Sequence, residues 1–96
     1  MFNTVTVDVL INWLNEKRGK TVGYSFENGY MMVSSPSVTI REVEVNMVKN
    51  ITVWGEDITP IITINCSCKP NILYSEKLDM FTIRYYDSIM KIISVY

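Results

Sequence analysis

The sequence predicts an α+β fold in which strands predominate. We expect an N-terminal helix followed by a mainly antiparallel β-meander of about six to seven strands, curled as a small barrel or a two-layer sandwich. Val, Ile and Thr supply 31 of the 96 residues, and these β-branched side chains pack well on a pleated surface. From Thr21 onward, apolar and polar residues alternate between turn residues. With no linker or internal repeat, residues 1–96 are expected to form a single domain.

The one stretch with helical periodicity lies near the start of the chain. Thr6 or Thr4 can cap the helix, and the Lys-Arg-Gly run at residues 17–19 is typical of a helix end. An alternative is a strand over residues 5–9, with the helix beginning only at Leu10. The longer helix is preferred because one apolar stripe at i, i+3, i+4, i+7 spacing then includes Val7, Leu10, Ile11 and Leu14.

A first β-hairpin is predicted around Asn28 and Gly29, which separate residues 21–27 from residues 30–35. This dipeptide is typical of a type I′ turn, in which both residues have positive φ. Such a turn places apolar residues on one shared face. The expected pairs are Phe26 with Met31 and Tyr24 with Val33.

A second β-hairpin is predicted at the end of the chain, where Asp87 and Ser88 separate residues 79–86 from residues 89–96. In this register Arg84 and Lys91 lie together on the face opposite the apolar pairs. Those pairs are Tyr85 with Met90 and Ile83 with Ile92.

Between the hairpins the sequence predicts a series of shorter strands. Pro36 is expected to separate the first hairpin from the next strand, and a change of apolar phase across Arg41 and Glu42 indicates a β-bulge. Pro60 stands near the start of a long strand, where a missing donor is tolerated. The expected strands cover residues 37–48, 51–54, 58–69 and 72–74.

The composition argues against catalysis. Histidine is absent, which removes the usual general base near neutral pH and every Ser–His or Cys–His pair. Glu42 and Glu44 are the nearest pair of carboxylates, and they fit a solvated strand face. We therefore expect no enzyme, no catalytic residues, no cofactor and no metal.

The two cysteines, Cys66 and Cys68, are expected on one face of the strand over residues 58–69, too far apart for an easy disulfide. Two thiolates there would form half of a zinc site that a symmetric dimer could complete. The simpler interpretation is that they are small apolar residues continuing the face of Ile62 and Ile64. The absence of a disulfide framework fits a reducing compartment, and we expect the protein in the cytoplasm of a host cell.

The charge balance gives no attraction to polyanions, because the net charge is −1 and the isoelectric point is about 5.3. The basic residues at 17–20 are explained by the end of the helix, and Tyr85 beside Arg84 is explained by the core. Nucleic acid is therefore not an expected partner. The sequence also contains neither an apolar run of about 18 residues nor a secretory signal, so no membrane is expected.

Several apolar residues fall on strand faces that the predicted core does not use. Tyr30 and Met32 lie opposite the face of Tyr24 and Phe26 in the first hairpin. The last strand is apolar on both sides, with Ile89, Ile93 and Val95 on the side away from Met90 and Ile92. A strand of this kind is either covered on both sides by its own fold or marks an interface. The candidate partner-binding residues are Tyr30, Met32, Ile89, Ile93 and Val95.

These observations favour a non-enzymatic protein-binding module. Ile, Asn, Tyr and Lys are abundant while Ala is absent, a bias that follows AT-rich codons and suggests a small phage or mobile-element protein that occludes a host protein. One alternative is a virion or tail assembly subunit that self-associates as a homo-oligomer. Another is a protein that sequesters a small ligand such as a nucleotide signal, with Arg and Tyr side chains as contacts.

Overall fold

The computed structural model describes residues 2–56 and 60–95. In these residues one helix accompanies an eight-stranded sheet in which every neighbouring pair is antiparallel. In chain order the elements are β1 (Asn3–Thr4), α1 (Val7–Glu16), β2 (Thr21–Asn28), β3 (Met32–Val45), β4 (Ile51–Gly55), β5 (Pro60–Ile64), β6 (Asn71–Ser75), β7 (Met80–Arg84) and β8 (Ser88–Val95).

The strand order β1-β6-β7-β8-β2-β3-β4-β5 combines two meanders, one from β2 to β5 and one from β6 to β8. They join where the last strand, β8, pairs with β2 over their whole length, from Thr21 opposite Val95 to Asn28 opposite Ser88. The predicted mostly β, antiparallel α+β class is confirmed. The structure describes eight strands, one more than the six to seven expected, and the strand that the sequence did not predict is the two-residue β1, which pairs with β6.

The sheet is curled, but the expectation of a closed barrel is wrong. In the described residues β1 and β5 stand at opposite ends of the strand order and do not pair. A bulge in β3 between Ile40 and Glu42 bends the sheet. One buried apolar cluster then draws on both meanders and on α1. Its fully buried members include Leu10, Leu14, Ile51, Val53, Ile64, Phe81, Ile83 and Ile92.

The predicted helix is confirmed over Val7–Glu16, and the alternative strand over residues 5–9 is not seen. Thr6 is the N-cap residue, although its side chain makes no capping hydrogen bond. Gly19 follows the helix with φ +81°, a left-handed conformation that glycine adopts without a steric penalty. Trp13, which lies outside the predicted stripe, is also buried and packs edge-to-face against Phe81.

The first hairpin forms with a different register. Phe26 pairs with Val33, and Tyr24 pairs with Ser35, so the predicted partners are displaced by two residues. Gly29 does not have positive φ and neither does Asn28, which rules out the type I′ turn. Instead, the Asn28 side-chain oxygen accepts hydrogen bonds from the backbone N–H of Tyr30 at 2.8 Å and of Met31 at 3.0 Å.

The second hairpin shows the same displacement in the opposite direction. Ile83 pairs with Met90 rather than with Ile92, and Phe81 takes Ile92 as its partner. The backbone N–H of Tyr85 donates to the carbonyl of Ser88 at 2.9 Å, so the turn residues are Tyr86 and Asp87. Because both displacements are even, the residues that remain in the paired strands keep their predicted faces, whereas Tyr30 and Tyr86 lie in the turns.

Two further strand boundaries differ from the prediction. β3 runs through Pro36, because a bulge opposite Gly23 absorbs an extra residue there, and the predicted break is absent. β5 ends at Ile64, and residues 66–68 form a 3₁₀ turn in which the side chain of Asn65 accepts from the backbone N–H of Ser67. Cys66 and Cys68 therefore do not share a strand face. The predicted strand start at residues 58 and 59 lies outside the described residues.

Candidate interaction surface

The sheet has one face turned away from α1 and the core, and we call it the outer face. Phe81, Ile83, Met90 and Ile92 are buried on the inner side, so the alternating residues of β7 and β8 point outward. The register aligns the outer residues in cross-strand rows. The first row contains Asn71, Arg84, Ile89, Glu27 and Met32. The second contains Leu73, Thr82, Lys91, Ser25 and Ser34. The third contains Ser75, Met80, Ile93 and Gly23.

Two hollows lie on the outer face. The first, of about 440 Å³, is lined by Gly23, Ser25, Ser34, Met80, Lys91 and Ile93 together with Tyr24 and Ser35. It exists because glycine and serine leave a depression beside two large apolar side chains. The second, of about 300 Å³, is lined by Phe2, Leu73, Met80, Thr82, Arg84, Ile89 and Lys91. Met80 and Lys91 line both hollows, so they separate one from the other.

The charges of the outer face are mostly positive. Arg84 and Lys91 are exposed there, and Glu27 is half-buried. The ion pairs in the described part of the chain join other residues. Ile89 stands between Arg84 and Glu27 in the first row, so the backbones of these two residues are about 10 Å apart at the usual strand spacing.

The structure brings together four of the five residues that the sequence singles out. Met32, Ile89, Ile93 and Val95 lie on the outer face, and the pairing of Glu27 with both Met32 and Ile89 places these two in one row. Ile89, Ile93 and Val95 are half-buried, and Met32 is 69 % exposed.

Tyr30 lies apart from this group, in the turn between β2 and β3, where it is fully exposed. Tyr86 is equally exposed in the turn between β7 and β8. The pairing of Asn28 with Ser88 makes these turns neighbours. The two tyrosines therefore project from the same end of the sheet, beside the first row of the outer face.

Sequence reasoning missed three apolar contributors to the surface: Phe2, Leu73 and Met80. Met80 could have been found, since it shares the strand parity of Arg84, which the sequence places on this face. Leu73 takes its place in the second row through the pairing of β6 with β7. Phe2 could not have been found, because its placement depends on the pairing of β1 with β6 across the length of the domain.

A polar cluster lies on the opposite side of the sheet, around Asp79. Its carboxylate accepts hydrogen bonds from Trp13 Nε1 at 2.8 Å, from the Tyr74 hydroxyl at 2.6 Å and from Lys17 Nζ at 3.2 Å. The backbone carbonyl of Asp79 also accepts from the N–H of Ser94 at 3.1 Å. These bonds connect α1, β6, β8 and the turn before β7. Because every one of them is internal, the cluster holds the fold together rather than presenting a site.

The cluster shifts the acidity of its members. Burial acts to raise the pKa of Asp79, but the hydrogen bonds from Tyr74, Trp13 and Lys17 together with the charge of Lys17 lower it below its ordinary value. The hydrogen bond to Asp79, with burial and the nearby negative charge of Asp79, raises the pKa of Tyr74 to about 12. The pair is thus held as a neutral phenol and an ionised carboxylate.

The cysteines lie at the end of β5, away from the outer face. Cys66 is half-buried against the core, and burial raises the pKa of its thiol, whereas Cys68 is exposed. Nearby, the Tyr85 hydroxyl accepts a hydrogen bond from the backbone N–H of Asn65 at 3.1 Å, and burial is the main cause of the raised pKa of Tyr85. Among residues 2–56 and 60–95, Cys, Asp and Glu side chains do not gather in a group of three or more that could hold a metal ion.

The other charged residues considered in the sequence analysis are exposed or form an ion pair within the fold. Glu42 and Glu44 are exposed on β3, and the carboxylate of Glu42 lies 3.9 Å from Arg41. Lys17, one of the basic residues at 17–20, forms an ion pair with Asp79 and lies over the ring of Trp13.

Comparison with known proteins gives no further guide to function. No protein-family model matches the chain, and neither the curated proteins nor the solved structures contain a match. Within the described residues, the single helix is too short to cross a membrane.

Proposed function

We propose that this protein is a non-enzymatic protein-binding module whose outer face is the docking surface. The observation that carries the proposal is that β7, β8 and β2 lie in the middle of the sheet yet leave Met80, Ile89 and Ile93 partly open to solvent beside two hollows. Central strands with apolar residues on both faces are typical of a sheet that is covered on both sides. A partner supplies the second cover.

Burial of the apolar side chains on the outer face would favour association. Complete burial of an aliphatic side chain contributes about 1.5–3 kcal/mol relative to full exposure. Three of these side chains are already half-buried: Ile89, Ile93 and Val95. Docking of a partner would therefore gain only part of this free energy at each of them. Met32 and Met80 add flexible side chains that adapt to different surfaces. The AT-rich codon bias of the composition supports the narrower proposal that the partner is a host protein occluded by a phage or mobile-element product.

The test is comparative capture of binding proteins from a displayed library of bacterial protein fragments. Ile93→Glu places a charge in the middle of the outer face, and Val48→Glu places the same charge at a 58 % exposed apolar residue in the turn before β4. Fragments that bind the wild type and Val48→Glu but not Ile93→Glu are expected. Circular dichroism establishes that both variants are folded.

Two other results would redirect the proposal. If Ile93→Glu is unfolded, the outer face is required for folding and is not a free surface. If light scattering at micromolar concentration shows a multimer of the wild type that Ile93→Glu dissociates, the same face serves self-association, as in a virion or tail assembly subunit.

A further inference from the structure

We infer that the partner of the outer face is a different protein, whose docking surface presents carboxylate groups beside aliphatic side chains. The inference rests on the proposed function, because it names the partner chemistry of that same surface. Its evidence is the position of two cations among the apolar residues of the face.

Lys91 and Arg84 lie where a docked partner would cover them. Lys91 lines both hollows, and Arg84 lines the smaller one. Neither takes part in an ion pair formed by the described residues. A partner that covered them with purely apolar groups would remove two charges from water without compensation, at a large free-energy cost. Carboxylates opposite these side chains offset part of that cost.

The neighbours of the two cations determine what else the partner presents. Met80 borders Lys91 in both hollows, and Ile89 lies directly opposite Arg84 in the adjacent strand. Once the two proteins meet, these apolar side chains exclude water from around each cation. An ion pair between the cation and a carboxylate of the partner is stronger in that environment than in bulk water. The planar guanidinium of Arg84 can also bind one carboxylate through two parallel hydrogen bonds. The fitting partner surface therefore alternates acidic and aliphatic groups.

A second copy of this chain fits poorly. A twofold dimer uses the same patch on both subunits, and Lys91 stands at the centre of this patch, in the middle row of β8. An axis through the centre would bring Lys91 against its own copy. Arg84 shares a hollow at the end of the sheet with Glu27 and Asp87, so the repulsion between two such patches comes from Lys91 at their centre.

The experiment selects binders from a library of random synthetic peptides displayed on phage. Four proteins are compared: the wild type, Ile93→Glu, the double variant Arg84→Glu/Lys91→Glu, and the control Arg18→Glu. Arg84, Lys91 and Arg18 are all exposed, and Arg18 follows α1 on the core side of the sheet. Peptides selected on the wild type are expected to be enriched in Asp and Glu next to Leu, Ile, Val or Phe. Their Kd should rise by at least about tenfold for the double variant and remain unchanged for Arg18→Glu.

The possible results separate this inference from the proposed function. Peptides that require Ile93 but show no acidic enrichment, and bind the double variant equally well, overturn the inference and leave the docking surface in place. Failure to select any peptide that depends on Ile93 overturns both. Dimerisation of the wild type, observed by light scattering as a doubled mass, would show that a second copy is the partner and would overturn the inference.

Discussion

The indole Nε1 of Trp13 donates a 2.8 Å hydrogen bond to Asp79 Oδ1, across 66 positions of sequence. This bond fixes the N-terminal helix to the turn that begins β7. The same carboxylate accepts from Tyr74 and Lys17, and Trp13 packs against Phe81 next to it. The carboxylate of Asp79 therefore lies where α1, the turn before β7 and β7 itself meet. Its removal should weaken the packing of all three elements.

Asp79→Asn is expected to lower the free energy of unfolding by about 1–2 kcal/mol, an amount reduced by the partial exposure of the carboxylate. Asparagine tolerates the left-handed conformation of this residue, φ 49°, so the variant removes the charge without straining the turn. Urea unfolding followed by circular dichroism measures the change. Glu76→Gln, an exposed acid in the same turn, is the control and should have almost no effect; equal losses in the two variants would contradict the assigned role of Asp79.

The stability of the protein should also depend on the ionisation of Tyr74. Its pKa is raised from 10.0 to about 12 in the folded chain, so folding favours the neutral phenol. The resulting stabilisation is complete below pH 10 and is lost as the pH rises through 12. The difference in stability between the wild type and Tyr74→Phe should therefore shrink across this range in urea titrations. Tyr86→Phe removes a fully exposed tyrosine and should show no such trend.

The hairpins show which part of the fold the sequence could predict. The alternation of apolar and polar residues predicted the strands and the faces on which their residues lie. These faces are confirmed because each hairpin register differs from the predicted one by two residues. The predicted registers were wrong because they were derived only from the backbone preferences of the expected turn residues, without the hydrogen bonds that their side chains make. At Asn28 a side chain takes over two backbone donors, and this moves the turn to Gly29 and Tyr30.

The assembly of the outer face shows the limit of local reasoning. The sequence predicted on which strand face Ile89, Ile93 and Met32 lie, and that Arg84 and Lys91 share a face. These residues form one surface only because β8 pairs with β2, and this pairing joins the end of the chain to its first third. No short-range pattern specifies that choice, because any antiparallel strand with the same alternation could occupy the place beside β2.

The observed turn predicts different effects on stability for substitutions at two adjacent residues. Asn28→Ala removes the acceptor for the N–H groups of Tyr30 and Met31 and should destabilise the protein by about 0.5–1.5 kcal/mol. Gly29→Ala should stay within about 0.5 kcal/mol of the wild type, since φ is not positive and an added Cβ meets no atom within 4 Å. Thermal unfolding of both variants tests the turn. A larger loss for Gly29→Ala than for Asn28→Ala would restore the type I′ geometry.

The two cysteines should differ in reactivity although one residue separates them. Cys68 is exposed, while Cys66 packs against the core with a raised pKa and so has less thiolate at neutral pH. Alkylation by iodoacetamide, followed by mass spectrometry, should be about tenfold or more faster in Cys66→Ser, which retains Cys68, than in Cys68→Ser.

Unfolding measurements on the same two variants provide an independent check. Cys66→Ser introduces a hydroxyl into an apolar contact and should cost about 1 kcal/mol, whereas Cys68→Ser should be close to neutral. If the two thiols react at equal rates and the two variants are equally stable, Cys66 does not pack against the core. The zinc interpretation makes a different prediction, since a metal shared between two chains would protect both thiols from alkylation until a chelator was added.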